Sequence, residues 1–338
     1  MIQFQYARAN NVADAVRQIA ADPKAKFIAG GTNLVDLMKD DVETPSRLID
    51  ISRLPLKTVE ETAGGGVRIG ALVPNSDLAW HPLIEQRYPL VSSAILAGAS
   101  QQLRNMASTG GNLLQRTRCA YFYDTTTPCN KRAPGSGCSA IDGINRGHAI
   151  LGTSEACIAT HPSDMCVALA ALEAIVHVVG PAGERKIAFA DFHRLPGDTP
   201  QVDTNLQPTE IIIAIELPSR GFATNYSYLK IRDRLSYAFA LVSVAAALEL
   251  EGGTVKQARL ALGGVAHKPW RDPSAEAALR GQPAKADTFD NAAGLLLQGA
   301  KGYRHNNFKI DLARRAIVRT LTQAANATPQ SQSVKKIR

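Results

Sequence analysis

The chain has 338 residues, 45% of them hydrophobic and 20% charged, which predicts a globular protein of two or three domains and argues against a disordered or fibrous chain. The formal net charge is +8, but Lys and Arg are scattered apart from a cluster at Lys335, Lys336 and Arg338, so we expect no nucleic-acid-binding surface. No apolar run approaches the ~20 residues that span a bilayer, and the first residues lack a basic segment followed by an apolar one, so we expect no membrane insertion and no signal peptide.

The sequence pattern of residues 1–55 predicts a small α/β unit. Apolar spacing predicts its first helix, which Asn10 or Asn11 would cap. A glycine turn at Gly30 and Gly31 follows a short strand and opens a second helix. In chain order the predicted elements are a strand at 2–6, a helix at 11–21, a strand at 26–29, a helix at 34–38 and a strand at 47–51.

Two further regions, 56–220 and 221–327, are predicted to mix helices and strands. Pro218 ends the last strand of the first region, and an irregular insert rich in Gly, Pro and Cys interrupts that region at about 115–158. Before Pro218 we predict a hairpin at 58–61 and 67–69, helices at 75–79, 90–99 and 163–173, and strands at 174–179 and 210–216. After it we predict strands at 226–232, 240–250 and 255–262, helices near 273–280, 287–298 and 310–325, and a mobile tail at 328–338.

Two glycine-containing loops are candidate phosphate-binding sites. In each, glycines permit close backbone approach, and successive N–H groups can point at one anion. Neither matches the usual nicotinamide or nucleoside-triphosphate pattern, and a plain strand-to-helix turn is the alternative for either loop alone; together they favour a diphosphate ligand. The first loop consists of Phe27, Ile28, Ala29, Gly30, Gly31, Thr32, Asn33 and Leu34. The second consists of Ser108, Thr109, Gly110, Gly111 and Asn112.

Two more positions fit a nucleotide or flavin site. The run from His161 to Asp164 stands at a predicted helix start, where Ser163 can cap the helix and Asp164 can accept hydrogen bonds from ribose hydroxyls. Lys230 lies on a predicted strand among apolar neighbours, where it can place one positive charge beside a reduced flavin. A simple capping motif and a solvated strand lysine are the respective alternatives.

All five cysteines fall between positions 119 and 166. Cys119, Cys129, Cys138 and Cys157 lie in the irregular insert, and four thiolates hold one iron-sulfur cluster. Structural zinc more often shows close Cys-x-x-Cys pairs, although the spacing leaves zinc or free thiols open. We interpret these four cysteines as ligands of a [4Fe-4S] cluster and Cys166, within a predicted helix, as a small buried apolar residue.

No acid/base or nucleophile motif is present, so we expect no catalytic residue on this chain. The remaining histidines lie singly in the sequence, which gives no metal-binding pair. They are His81, His148, His177, His193, His267 and His305.

These motifs resemble, in order and spacing, the medium, FAD-binding subunit of molybdenum hydroxylases. The resemblance implies an α+β protein: a two-subdomain FAD-binding fold of the vanillyl-alcohol-oxidase (PCMH) type at 1–220, divided at about residue 55, and an α+β C-terminal domain at 221–327. It implies that both glycine loops, His161 and Asp164 bind FAD, that Ile212 is an apolar flavin contact and that Lys230 lies near the flavin.

The insert departs from the ordinary subunit of this family. Its segments 117–124 and 128–132 resemble the insert of the bacterial periplasmic aldehyde oxidoreductases, which adds a [4Fe-4S] cluster. By that resemblance, aldehydes are oxidised to carboxylic acids on a large molybdenum-cofactor subunit, and electrons pass through the [2Fe-2S] centres of a small subunit to this flavin and on to an external acceptor. A heterotrimer is implied.

The resemblance also implies a periplasmic location, reached with a signal-bearing partner, with the cytoplasm as the alternative. Two other functions stay open on the residues alone: a stand-alone FAD oxidase and a zinc-bearing scaffold. An oxidase needs its own substrate pocket and catalytic base, and the sequence shows neither.

Overall fold

The computed structural model describes residues 1–332. The predicted basic cluster, Lys335, Lys336 and Arg338, and most of the predicted mobile tail lie outside the described residues. The described chain combines helices with three separate β-sheets, which confirms the predicted α+β class. No helix among the described residues is both long and apolar enough to cross a membrane.

The first sheet lies within residues 5–50 and is parallel, in the order β1-β3-β2. Asn11 caps the first helix by accepting the N–H of Asp14 at 2.8 Å. The first strand begins three residues later than predicted, because its register is set by pairing with β3, where Gln5 lies opposite Arg47. The elements are β1 (Gln5–Arg8), α1 (Val12–Ala21), β2 (Ala25–Ile28), α2 (Leu34–Lys39) and β3 (Arg47–Asp50).

The second sheet has five antiparallel strands in the order β4-β5-β8-β6-β7. Its strands are β4 (Val59–Glu61), β5 (Val67–Gly70), β6 (Ile175–Gly180), β7 (Gly183–Ala188) and β8 (Ile211–Leu217). Strand β8 contributes to two cores: Ile212 and Ile215 belong to the main core, whereas Ile211 and Ile213 pack with residues of the first sheet. Successive side chains of a strand point to opposite faces, and the pairing of β8 with β6 skips one residue between Ile212 and Ala214, so the alternation is offset there and the strand joins the two layers.

Helices cover this second sheet and form most of the main core. The hydrophobic α5 and α10 pack on each other and bury nearly every side chain. The helices are α3 (Asn75–Ala79), α4 (Pro82–Arg87), α5 (Pro89–Ala97), α6 (Gln101–Met106), α7 (Thr109–Leu113), α8 (Ala120–Tyr123), α9 (Ser139–Asp142), α10 (Asp164–Ala171) and α11 (Phe189–Phe192). Two of them, α8 and α9, lie in the insert, which also contains β-bridges between Cys129 and Cys138 and between Ser154 and Cys157.

The third sheet, in the order β11-β10-β9, carries a layer of helices. Its central strand has Ala245 and Ala247 facing the main core and Ala246 facing a separate C-terminal core. These small side chains let elements pack closely on both faces of the strand. The elements are β9 (Tyr226–Ile231), β10 (Val242–Glu251), β11 (Thr254–Gly263), α12 (Pro273–Leu279), α13 (Ala286–Leu296) and α14 (Phe308–Ala325).

Candidate functional site

The first glycine loop joins the end of β2 to the start of α2. Gly31 has a φ of +73°, a left-handed conformation that glycine adopts without strain. Within the described chain, the amide N–H groups of Gly31, Thr32 and Asn33 donate to no protein acceptor, and the buried Nδ2 of Asn33 has no partner either. The loop thus presents several unused donors to one place, as a phosphate needs.

The second glycine loop is a short helix, α7, rather than the open loop predicted. Ser108 Oγ caps it by accepting the N–H of Gly111 at 3.2 Å. Gly110 donates its N–H to the Ala71 carbonyl at 2.7 Å, and a Cβ at Gly110 would meet the Ala71 Cβ at 3.0 Å. The close contact with Ala71, just after β5, therefore favours glycine at 110, and a Cβ at Gly111 would lie 2.8 Å from the capping Ser108 Oγ.

The structure brings the two loops together. A Cβ at Gly30 would lie 1.8 Å from the Met106 carbonyl oxygen, just before the second loop. The side-chain oxygen of Asn33 accepts the N–H of Arg116 at 3.0 Å, just after it. These two contacts, one on each side of α7, are consistent with the prediction that both loops serve one site.

Asp164 and Lys230 also lie together. Their Oδ2 and Nζ are 2.7 Å apart, and the side chains are 8% and 2% exposed. Tyr228 OH donates to the other carboxylate oxygen at 2.7 Å, and burial together with Asp164 raises the pKa of Tyr228 well above its usual value. The sequence predicted two independent flavin ligands; the structure places them in one buried ion pair.

Asn112 links the second loop to the helix that carries Asp164. Its Nδ2 donates to Asn75 Oδ1 at 2.8 Å, and its Oδ1 accepts from Ser163, which caps α10 through the N–H of Cys166. Ile212 is 5% exposed within the main core. Its predicted contact with the flavin, like the predicted ribose contact of Asp164, stays a prediction.

The four insert cysteines line one cavity. All four thiols are free. Arg132 holds the surrounding backbone, because its guanidinium donates to the carbonyls of Tyr121 at 2.9 Å and Phe122 at 2.8 Å. The cavity is lined by Thr117, Cys119, Tyr121, Phe122, Pro128, Cys129, Lys131, Cys138, Ser139, Ala140, Cys157 and Ala159.

Burial raises the pKa of Cys119 to about 12 and that of Cys157 to about 11, and neighbouring cysteines add to both increases. Thiolates at these positions thus need a compensating cation, and iron-sulfur clusters bind as thiolate complexes. The donor set of four thiols around one cavity fits a cluster of this kind. Cys166 is fully buried in α10 and does not line the cavity, as predicted.

Sequence reasoning missed a charged network behind this cavity. Lys131 is 1% exposed and donates to Asp203 and to the Pro200 carbonyl. Asp203 also binds Arg116 Nε at 2.9 Å, and Lys131 and Arg116 help to hold the pKa of Asp203 well below its usual value. Because Arg116 follows α7 and contacts Asn33, the network connects the cysteine cavity with the first glycine loop.

Two histidines treated as isolated in the sequence have partners in the fold. His148 Nε2 lies 3.1 Å from Cys119 Sγ. His193 packs on His161 with ring centroids 4.3 Å apart, and Cys166 lies beside both. These contacts join residues far apart in the chain, so no local pattern indicated them.

The group of His161, Cys166 and His193 does not suit a metal. His193 Nε2 donates to the Leu113 carbonyl at 2.8 Å, which leaves its Nδ1 lone pair free. His161 Nδ1 accepts the N–H of Ser163, so its Nε2 carries the proton of the neutral ring. Two histidine ligands need a free lone pair on each ring, and of these two rings only that of His193 has one.

Comparison with known proteins gives consistent matches along the chain. Residues 2–220 match the family described as the FAD binding domain in molybdopterin dehydrogenase, and residues 226–324 match the CO dehydrogenase flavoprotein C-terminal domain. The aldehyde oxidoreductase FAD-binding subunit PaoB of Escherichia coli is 52% identical over 326 residues, which cover 96% of this chain and 99% of the relative. The glyceraldehyde dehydrogenase medium chain of Sulfolobus acidocaldarius is 27% identical, covering 96% and 97%.

Solved structures agree in fold. A chain of carbon monoxide dehydrogenase from Hydrogenophaga pseudoflava, in a form that lacks the Mo-pyranopterin moiety, superposes with a TM-score of 0.76 at 26% identity, covering 97% of this chain and 99% of that one. A chain of quinoline 2-oxidoreductase from Pseudomonas putida 86 superposes with a TM-score of 0.74 at 24% identity, covering 97% and 98%. At that identity the second match indicates the fold alone.

Proposed function

Because the chain belongs to the FAD-binding medium subunits of the molybdenum hydroxylase family, we propose that it carries FAD and a [4Fe-4S] cluster and transfers electrons within an aldehyde oxidoreductase. Membership makes it an oxidoreductase subunit, in agreement with the predicted resemblance. The proposal of a cluster rests on one observation: four free cysteines line the same cavity. The 52% identity to an aldehyde oxidoreductase subunit supports the substrate class.

The residues present fit FAD. The unused amides of Gly31, Thr32 and Asn33 would bind phosphate oxygens of the cofactor, and Gly30 allows the chain before α7 to approach. The Asp164–Lys230 pair would place a carboxylate and a cation near the nucleotide and the flavin. When bound, FAD would supply the capacity to accept electrons singly and to release them to an external acceptor.

The residues present also fit a [4Fe-4S] cluster. Cys119, Cys129, Cys138 and Cys157 would be its ligands. Arg132 fixes two insert carbonyls, and Lys131, next to Cys157 in the cavity wall, lowers the cost of thiolate charge there. A bound cluster supplies one-electron chemistry and compensates the buried thiolates.

Membership of the family supports a multi-subunit assembly. Relatives carry the names of medium chains, including the carbon monoxide dehydrogenase medium chain of Hydrogenophaga pseudoflava. We propose a large molybdenum-cofactor partner that oxidises the aldehyde and a small [2Fe-2S] partner that delivers electrons to this chain, which passes them to an external acceptor. A heterotrimer carried to the periplasm by a signal-bearing partner is part of this proposal.

The test is cofactor analysis of the purified native complex. We expect flavin absorption and, beyond the iron of the small partner's [2Fe-2S] centres, about four irons per copy of this chain. Flavin with only the [2Fe-2S] iron would support an ordinary medium subunit, flavin without any iron would support a stand-alone oxidase, and zinc without flavin would support a scaffold. Identification of the co-purifying subunits tests the partners in the same sample.

A matched pair of variants isolates the cysteine ligands. Cys129→Ala removes a thiol from the cavity, and Cys166→Ala removes a buried thiol that lies outside it. We expect the first to lose iron and the second to retain it. Full aldehyde turnover by a Cys129→Ala complex that retains only the [2Fe-2S] iron would rule out a relay role for the cluster and leave it a structural one.

A further inference from the structure

His148 lies at the wall of the cysteine cavity. Its Nε2 is 3.1 Å from Cys119 Sγ, and the residue is 8% exposed. Its other ring nitrogen, Nδ1, is buried and has no hydrogen-bond partner among residues 1–332. One ring nitrogen therefore faces a sulfur, and the other has no hydrogen-bond partner.

The chemistry of the pair fixes the direction of the contact. A thiolate offers lone pairs and no proton, so an imidazole nitrogen at this distance is favourable only if it carries a hydrogen. Lone pairs on both atoms would repel each other. A cluster-bound Cys119 thus selects the tautomer with hydrogen on Nε2, and the unpartnered Nδ1 keeps its lone pair.

The position of His148 is fixed from the C-terminal domain. Its carbonyl accepts hydrogen bonds from Lys309 Nζ at 2.8 Å and from Asn306 Nδ2 at 3.2 Å, and both of these residues are fully buried. Its N–H donates to the Asn145 carbonyl at 3.0 Å. These backbone hydrogen bonds of His148 hold its ring against the sulfur, so little conformational entropy is lost when the contact forms.

Other donors to the cysteine sulfurs come from the backbone. Ala159 N–H donates to Cys157 Sγ at 3.4 Å, and the amides of Tyr121 and Phe122 favour the thiolate of Cys119. Among the described residues, His148 is the side chain that donates to one of the four cysteine sulfurs. A side-chain donor can be removed by substitution, which makes its effect measurable.

We propose that His148 tunes the iron-sulfur cluster: its Nε2–H donates a hydrogen bond to the Cys119 sulfur and raises the reduction potential of the cluster. The inference rests on the proposed [4Fe-4S] site. Hydrogen bonds to the sulfurs stabilise the more negative, reduced form and are one of the main determinants of cluster potential. Reduction adds one electron to the cluster and its ligands, and the imidazole keeps its proton.

Three substitutions separate the hydrogen bond from other roles. His148→Gln places an amide N–H where Nε2 stood, whereas the shorter His148→Asn places one where Nδ1 stood, out of reach of the sulfur. His148→Leu removes every donor. We expect the reduction potential of the cluster to stay close to the wild-type value in His148→Gln and to be lower in the other two variants.

The measurement is a redox titration of the native complex with dithionite as the reductant, followed by low-temperature electron paramagnetic resonance of the cluster, with iron and flavin content measured on each sample. In His148→Asn and His148→Leu, the equilibrium constant for reduction should fall about tenfold, which for one electron is a decrease of about 59 mV.

The outcomes distinguish the inference from the function on which it rests. Equal potentials in all samples with full iron would overturn the role of His148 and leave the cluster in place. Loss of iron from all three variants would also overturn it, because His148 would then hold the cluster rather than tune it. A wild-type complex with no iron beyond the [2Fe-2S] centres would instead refute the proposed function.

Discussion

Lys230 and Asp164 form an ion pair of 2.7 Å that joins the C-terminal sheet to the FAD-binding domain, since one residue lies on β9 and the other begins α10. Both side chains are almost completely buried. Lys230 also donates to the Ala97 carbonyl at 3.1 Å, and Asp164 accepts from Tyr228. Two predicted flavin contacts are thus one structural unit, and neither residue can be changed without affecting the other.

The first prediction concerns stability. Lys230→Met leaves the Asp164 carboxylate buried without its cation, and breaking a buried pair by removing one partner costs about 3–5 kcal/mol. Adding Asp164→Asn removes the uncompensated charge, so the double variant should be more stable than Lys230→Met alone. Urea unfolding of the wild type, Lys230→Met, Asp164→Asn and the double variant measures this, and strictly additive losses would show that the pair is not coupled.

The second prediction concerns the flavin. A positive charge at Lys230 stabilises an anionic reduced flavin, so Lys230→Ala should lower the flavin reduction potential. The measurement is a spectroscopic redox titration of complexes matched for flavin content. Lys256→Ala, which changes an exposed lysine on β11, controls for the loss of net charge. An unchanged potential in Lys230→Ala would count against the placement of this lysine beside the flavin.

The third prediction tests the junction of the two glycine loops. In Gly30→Ala, the new Cβ would lie 1.8 Å from the Met106 carbonyl oxygen, so the backbone segments must separate and the FAD site must open. We expect loss of bound flavin and a lower midpoint of thermal unfolding. Gly294→Ala is the control, because it adds a methyl group in open space on α13, where alanine is favoured over glycine by about 1 kcal/mol. Equal flavin content in both variants would contradict the proposed junction.

The fourth prediction concerns acid stability. Burial lowers the pKa of His193 to about 4, whereas the unfolded chain titrates near 6.5. Between these pH values the unfolded state binds a proton that the folded state does not, so the free energy of unfolding falls as the pH falls from about 6.5 to 4.

His193→Gln keeps a donor for the Leu113 carbonyl and removes the titrating ring. Its free energy of unfolding should fall less steeply with acid, by up to about 1.4 kcal/mol per pH unit. Urea unfolding at pH 7, 6 and 5 gives the two slopes. Parallel curves for wild type and variant would mean that His193 is not a source of the acid sensitivity.

Features set by local sequence were predictable. Helix α1 follows from its apolar spacing and its Asn11 cap, and the glycine turn after β2 follows from two adjacent glycines. The four cysteines could be predicted as one group because they share an irregular segment, and the structure brings them around one cavity. In the first two cases the relevant residues are close together in the chain.

Features that lack an apolar pattern or depend on distant contacts were not predictable. Helix α6 buries none of its side chains, and β7 exposes nearly all of its residues, so neither shows a hydrophobic period. The contact of His148 with Cys119 and the pair of Lys230 with Asp164 join residues 29 and 66 positions apart. Such contacts are set by the packing of whole elements.

The cysteine insert leaves and re-enters the fold at one point. His193 donates to the carbonyl of Leu113, before the insert, and packs on His161, which follows it and lies against the same carbonyl. A segment whose ends meet can be lengthened, shortened or exchanged without rerouting the chain around it. A single insertion or deletion in the gene could thus add or remove the cysteine insert, which is further held to the scaffold by contacts such as those of Lys131 and Arg116 with Asp203.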